Sequence, residues 1–578
     1  MRWRLLLLYL LGPCYYALAQ TTLHFTVADA DQKVWKAHGS YQRNHPDSAS
    51  AVREVRKVIE GLRKNSYLAA SADQLDYYHD SVRVNLSIGP SYSIVLSKGN
   101  APDDIIREAG YRTRGKSTPL FSYQQWLQLS EKMLLRAENQ GYPFASVQLD
   151  SIQAASRQMQ ASIQFQPGPV IAFDSLLLLG SARVKTRFLA VYLNILPKQL
   201  YSQQKLSQAN RMLSQLPYLK LKQPTTVRFF EEKAYVKIDA DDWKTNQFDG
   251  IIGFLPNQEA ASKLLITGDV KLRLNNLFGM GRGIHFQWHQ IRPGSPLLYL
   301  EYTHPVLFRT RLELKANFEL LKQDTTFLNV DRRLTVGYPL GGAGKLSTTV
   351  GLRTSSLSNS VQYKNETRLP PSSDVRYLSY GLSFERNTLD DYLYPRSGFR
   401  LLLQAEVGNK RIIKNPFLDA RVYEGLALNT VQTSVRAMAQ QYYSLSSSGK
   451  SVLLLRLQAA HLANPHLFYN DLFRLGGLNS LRGFNENTFF ASAYTVGTVE
   501  YHFFTDETSY LLLCYDQAWL AARTVQGNGQ DTPLGLGAGV SFSTRAGAFN
   551  LIYSLGKSAN QAFGLTYSKI HLGFLSIF

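Results

Sequence analysis

Arg474-Leu475-Gly476-Gly477-Leu478-Asn479-Ser480-Leu481-Arg482-Gly483-Phe484 is the stretch whose reading decides the fold. It lies between two predicted β-strands, late in a long run of amphipathic strands, with about eleven before it and about five after it. A Leu-Arg-Gly-Phe tetrad (Leu481, Arg482, Gly483, Phe484) carries little meaning alone. Its meaning comes from the strands around it.

From about Gln247 the sequence reads as strands of about ten residues separated by turns, with almost no helical periodicity. Strands are predicted over 247–255, 262–274, 281–291, 296–304, 310–321, 327–338, 345–355, 375–386, 397–407, 430–443, 451–462, 490–503, 508–517, 534–543, 546–555 and 562–578. Ten tilted residues cross a bilayer, and sixteen strands leave both ends on one side. The connections alternate imperfectly between long (356–374, 408–429, 463–489, 518–533) and short (275–281, 305–309, 339–344, 544–545), as in transmembrane barrels. In the last strand Ile570, Leu572, Phe574, Ser576 and Phe578 share one face, and Lys569, His571 and Gly573 share the other. Apolar outward and polar inward is a barrel pattern. A soluble sandwich also alternates, but it does not explain sixteen strands, an export leader and a terminal Phe together.

The first residues read as that leader. Arg2 and Arg4 precede an apolar run from Leu5, and Ala17-Leu18-Ala19 supplies a small-residue cleavage site, so the mature chain is expected to start at Gln20. Of two cysteines, Cys14 falls in this segment, which leaves Cys514 without an internal partner. The 578 residues exceed one ordinary core. The net charge of +20 is spread without a block of like charges, which suits a basic lumen or loops facing anionic lipid better than nucleic acid. The 33 Tyr and 30 Phe suit strands and membrane-interface girdles.

Residues 22–243 instead alternate helices and strands. Ile88-Gly89-Pro90-Ser91-Tyr92-Ser93-Ile94-Val95-Leu96, followed by Gly99-Asn100, is echoed by Pro167-Gly168-Pro169-Val170-Ile171-Ala172-Phe173, followed by Gly180-Ser181. The period is about 79 residues, which predicts tandem modules. The second has a helix over 123–140, with Trp126, Leu127, Met133, Leu134 and Ala137 on one approximate face, then strands 145–150 and 159–166. The third has strand 171–179, helices 186–194 and 203–216, and strands 225–230 and 234–239. The first has helix 49–64 and strands 67–74 and 81–87, and its opening strand is hard to place.

Three further motifs accompany the Arg-Gly-Phe loop: Asn275-Asn276-Leu277-Phe278-Gly279-Met280-Gly281-Arg282-Gly283, Tyr302-Thr303-His304-Pro305, and Asp390-Asp391-Tyr392-Leu393-Tyr394-Pro395-Arg396-Ser397-Gly398-Phe399. Taken in order, the four resemble the N-L-F-G-x-G-R, Y-x-x-P, D-x-x-x-x-P-x-x-G and R-G-F segments of the Omp85 superfamily of outer-membrane barrels. The β-α-α-β-β modules of about 75 residues resemble its POTRA domains. The resemblance implies a signal peptide (1–19), three POTRA-like domains (20–88, 89–167, 168–244) and a 16-stranded transmembrane β-barrel (245–578) in the outer membrane of a Gram-negative bacterium, with the modules in the periplasm. It implies that Arg482 reaches into the lumen and is held by acids on the next two strands, Glu500 and Asp516. The family often has Asp-x-Gly where this chain has Asp516-Gln517-Ala518, a departure that bears on the local backbone rather than on the charge pair.

The implied function is that of the BamA- or TamA-like branch: helping β-barrel clients fold and insert, with accessory periplasmic or lipoprotein subunits and outer-membrane lipid as further partners. A lateral seam between strand 247–255 (Gly253, Phe254) and the terminal strand (Gly573, Phe578) would expose edges that template a client's strand. Gly573, without a side chain, favours a kink there. The alternative is a two-partner-secretion transporter, usually with two POTRA domains and a plug helix, where this chain has three modules and no obvious plug. A passive porin would not need 220-odd residues of modules. No catalytic residue, cofactor or metal is expected. His285 and His289 stand four apart on a strand without a third ligand, no G-x-S-x-G occurs, and Gly344-Lys345 and Gly556-Lys557-Ser558 lack the P-loop's earlier glycine.

Overall fold

The computed structural model describes residues 21–112, 119–256, 264–290, 295–340, 343–363, 368–391, 394–478, 480–544 and 547–575. The expected leader, Asn479, Tyr392, Leu393 and Phe578 lie outside them.

Of the described residues, those from 21 to 172 together with Leu200–Gln203 form one compact unit, which holds two α/β modules. In the first, the sheet order is Asn44–His45, Thr21–Val27, Ser81–Ser87, Ser71–Tyr77, with Thr21–Val27 parallel to Ser81–Ser87. The opening strand that local pattern left unplaced is therefore Thr21–Val27, and the strand expected over 67–74 begins only at Ser71. The helix Ser48–Lys64 starts where Asp47 Oδ1 accepts from Ser50 N at 2.6 Å, satisfying one orphan donor of its first turn. Its Ala51, Val55, Val58 and Leu62 recur at three- and four-residue spacing and are buried against the sheet.

The second module repeats this order: Leu120–Phe121, Ser93–Ser97, Gln158–Gln166, Ser146–Ala155, with the two central strands parallel. Ser122 and Gln125 cap the helix Tyr123–Asn139 reciprocally. The face that it buries is Trp126, Leu129, Met133 and Ala137. Leu129 replaces the expected Leu127 and Leu134, because the inner stripe follows strict three/four spacing. Burying a side chain the size of Leu129 or Met133 contributes about 1.5–3 kcal/mol.

The second unit, Phe173–Gln199 with the chain from Gln204 on, holds nearly all of the third module and the strands after it. In this module Lys233–Asp242 is the central strand, pairing with Leu219–Leu221, Thr226–Phe230 and Ala172–Leu179. The helices Thr186–Tyr192 and Gln203–Ser214 accompany the sheet. A Cβ at Gly180 would meet the Ala240 carbonyl, just as one at Gly99 would meet that of Ile163. The sequence echo is thus the same close approach of a turn to the central strand in both modules.

Sixteen long strands follow. They are β1 Gln247–Pro256, β2 Leu264–Leu277, β3 Arg282–Gln290, β4 Leu297–His304, β5 Glu313–Gln323, β6 Phe327–Pro339, β7 Gly344–Leu357 and β8 Val375–Asn387. Then come β9 Gly398–Ile412, β10 Asn429–Ser444, β11 Ser451–Ala463, β12 Ala493–Phe504, β13 Tyr510–Thr524, β14 Leu534–Thr544, β15 Gly547–Lys557 and β16 Lys569–Leu575. Each pairs antiparallel with the next, and a short strand, Gly527–Asp531, extends the end of β13. The sheet comes round so that β1 and β16 are neighbours, with no ladder between them among the described residues. The β15–β16 ladder runs unshifted from Ala548–Leu575 to Ser554–Lys569 through Gly573.

The two faces differ as a barrel requires. On β12 and β13, Val499, Tyr501, Phe503, Leu511, Leu513 and Tyr515 are exposed outward. Thr498, Glu500, His502 and Asp516 alternate with them and are buried in the lumen.

Candidate functional site

The connection 464–492 folds into the lumen. Its two limbs are tied by a short antiparallel pair, Phe473–Leu475 with Phe489–Ala491. Between them lies the tetrad. Leu481 and Phe484 are buried with Leu475, Ala491, Val496, Ala518 and Leu520, and Phe484 meets the Phe489 ring edge-on at 4.8 Å. This apolar seat fixes the loop in rotation and leaves the arginine one direction to point.

Arg482 is 3% exposed, so its charge must be met by protein. Its Nε donates to Asp516 Oδ2 and its Nη2 to Asp516 Oδ1, both at 2.7 Å. Its backbone N donates to the same Oδ2 at 3.1 Å, and Nη1 lies 2.9 Å from Glu500 Oε1. Strand register explains why both acids serve one cation. Thr498 stands opposite Asp516 and Glu500 opposite Cys514, so the two carboxylates are diagonal neighbours on the inner face. Thr498 Oγ1 donates to Asp516 Oδ1 at 2.8 Å, His502 Nε2 lies 2.9 Å from Glu500 Oε2, and Arg456 approaches Glu500 at 3.6 Å.

Glycines shape the seat. Gly483 has φ 89°, and a Cβ there would lie 2.6 Å from Gly556 N on β15. One on Gly556 would lie 2.6 Å from Gly483 O and 2.8 Å from the Phe484 ring, and one on Gly535 of β14 would meet the Arg482 carbonyl. Gln561 Nε2 donates to Gly483 O at 3.2 Å. The sequence reading did not single out Gly535, Thr498, His502 or Gln561, and it took up Gly556 only to set a P-loop aside. The alternate glycines 535, 537 and 539 on one face of β14 were the available signal for a close approach.

A second anchor lies nearer the loop's start. Lys410 of β9, 1% exposed, pairs with Asp471 and donates to His466 O at 2.7 Å. Asp471 Oδ2 also accepts from Phe468 N at 2.9 Å. Asn470 bonds Ser355 of β7 and donates to Ser373 O at 2.8 Å. The loop is therefore fixed to strands β7–β9 at one end and to β12–β15 at the other.

The remaining motifs act locally. Asn275 and Asn276 bond Thr245 O and Arg183 O, and Lys185 N donates to Gly279 O at 2.8 Å, which holds the turn against the third module. Asp390 accepts from the backbone of Arg396 and Ser397 and shapes its own turn. His285 meets the Tyr299 ring edge-on and His289 bonds Asp269, so the two serve different partners. Gly253 pairs with Thr267 and Gly573 with Asn550 in their ladders; Gly253 and Phe254 lie on β1 and Gly573 on β16.

An Omp85 superfamily domain model matches residues 276–573, more than half of the chain. CdiB from Escherichia coli is similar in structure, with a TM-score of 0.52 and 13% identity over 91% of this chain and 97% of that one. A BamA structure from Haemophilus ducreyi lacking POTRA domains 1–3 aligns with a TM-score of 0.41 and 14% identity over 84% of this chain and 99% of that one. No curated protein matches the chain.

Proposed function

The chain belongs to the Omp85 superfamily, and from that premise we propose that it helps β-barrel proteins fold and insert into the outer membrane, its three modules receiving the unfolded client on the periplasmic side. The observation that carries the proposal is the junction of β1 and β16, the one pair of neighbouring strands in the barrel with no ladder among the described residues. Edge strands carry unpaired N–H and C=O groups, and a client strand can add to them. Gly253, Phe254 and Gly573 are the residues assigned to this seam, together with Phe578. Accessory subunits and surrounding lipid are expected partners. No nucleotide, metal or catalytic residue enters the scheme, because client folding supplies the free energy.

The inward loop supports the lateral route over a central one. Passage of a polypeptide along the lumen would require both the Arg482 and the Lys410 anchors to release, whereas strand addition at the seam leaves them in place.

The test is depletion in the native host, followed by quantitative proteomics of the outer membrane and the medium. Loss of many barrel proteins from the outer membrane is the expected result. Disappearance of a single secreted protein with the barrels unchanged would overturn the proposal in favour of secretion.

A further inference from the structure

The helix Gln203–Ser214 of the third module and the adjoining rim of the barrel enclose a cavity of about 490 Å³. That lies within the usual size of small-molecule sites, about 300–1,000 Å³. Its walls hold buried donors without acceptors. Tyr218 is 5% exposed, and its hydroxyl has no hydrogen-bond partner among the described residues. Arg311 Nε is likewise buried and unmet. An unsatisfied buried donor is costly, and in a native fold it calls for an acceptor.

The carboxylates nearby are engaged. Glu313 lies 3.2 Å from Lys345 and 3.5 Å from Lys315, and Glu385 lies 2.9 Å from Arg400 and 3.4 Å from Lys345. Glu301 accepts from Tyr299 at 2.8 Å and from Asn317 at 2.7 Å. Arg211, Arg273 and Arg311 line the same cavity and form no ion pair among the described residues. The Arg311 guanidinium lies 5.7 Å from the centre of the Tyr338 ring. Glu301, Glu313 and Glu385 line the same space but are held by the partners above, so the three guanidiniums pair with none of them among the described residues.

We propose that this cavity binds a phosphate-bearing anion, held by Arg211, Arg273 and Arg311 with Tyr218 Oη as a neutral donor. Guanidinium forks match phosphate oxygens in pairs. Three forks and a hydroxyl offer more donors than the two oxygens of a carboxylate accept, which favours phosphate. The ligand would bridge module and barrel, because Arg211 and Tyr218 belong to the module while Arg273 is on β2 and Arg311 precedes β5. The site is independent of the client-handling reading.

The experiment is titration calorimetry on the full-length protein in a phosphate-free maltoside detergent. Inorganic phosphate and dihexanoyl phosphatidylglycerol are the two probes. Saturable binding of at least one is expected, weakened about tenfold or more by Arg273→Ala, Arg311→Ala or Tyr218→Phe, since each removes a contact to a charged group. Arg187→Ala, on an exposed position of the same module, should bind as the unaltered protein does. Tighter binding of the lipid makes the ligand a headgroup, and binding of inorganic phosphate alone makes it the free ion. Tyr218→Phe removes a single oxygen, so it reports even if an arginine variant fails to fold. No saturable binding of either probe, or unchanged affinity in Tyr218→Phe and the folded arginine variants, would overturn the proposal.

Discussion

The Arg482 guanidinium holds both carboxylate oxygens of Asp516, each at 2.7 Å, from the loop that joins β11 to β12. Planar forks and buried carboxylates make the strongest class of side-chain pair, and removing one partner strands the other. Arg482→Ala leaves Asp516 and Glu500 uncompensated and is expected to destabilise the folded barrel by on the order of 3–5 kcal/mol. Arg482→Lys keeps the charge but loses the fork and should fall between. Thermal unfolding of the purified protein, read by loss of heat-modifiable migration, checks the order. Equal stability of all three would refute this account of the anchor.

Lys410 and Asp471 make the opposite anchor, and both side chains are almost wholly buried. Lys410→Met or Asp471→Leu alone is expected to cost about 3–5 kcal/mol, because each leaves one buried charge. The double variant should lose much less than the sum, because apolar groups of similar size often replace a buried ion pair at little cost. A double-mutant cycle on unfolding midpoints measures this coupling. Strict additivity would mean that the two residues do not hold each other.

Gly556 tests whether close backbone approach, and not only charge, seats the loop. A valine there would run into Gly483 O and the Phe484 ring, an overpacking that costs about 1–3 kcal/mol. Gly529→Ala, with nothing within 4 Å of the new methyl, is the matched control. Gly556→Val should make the loop near Phe484 accessible to protease added from outside, and Gly529→Ala should not.

These residues also show what sequence can and cannot disclose. The sixteen strands were legible because a barrel strand must alternate at period two, and each turn interrupts that period locally. Glu500 and Asp516 were reached through the family resemblance, in which acids on the next two strands hold the loop arginine; composition and spacing alone did not point to them. Lys410 and Asp471 were not legible: sixty-one residues separate them, and only the loop's path across the lumen brings them together. Gly535 and Gly556 were hidden for a related reason, since a glycine's need for space depends on what crosses it from elsewhere. Thr21–Val27 escaped because its partner, Ser81–Ser87, lies far along the chain and no local turn announces the pairing.

Gly281 provides the last test, at the contact between the third module and the barrel. Its φ is 67°, a conformation that costs a non-glycine residue roughly 1–2 kcal/mol. A Cβ there would lie 2.8 Å from Tyr218 Oη and press on the Phe188 ring, both side chains of the module. Gly281→Ala therefore combines backbone strain with a steric wedge between two parts that also meet through Lys185 N and Gly279 O at 2.8 Å and through Asn276 Nδ2 and Arg183 O at 3.1 Å. The barrel's own ladder tolerates the change, because β2 and β3 pair over several residues beyond this turn. Limited proteolysis across residues 243–246 should accelerate several-fold in Gly281→Ala while the barrel fragment keeps its heat-modifiable migration. Cleavage at the unaltered rate would show that the turn does not hold the module in place.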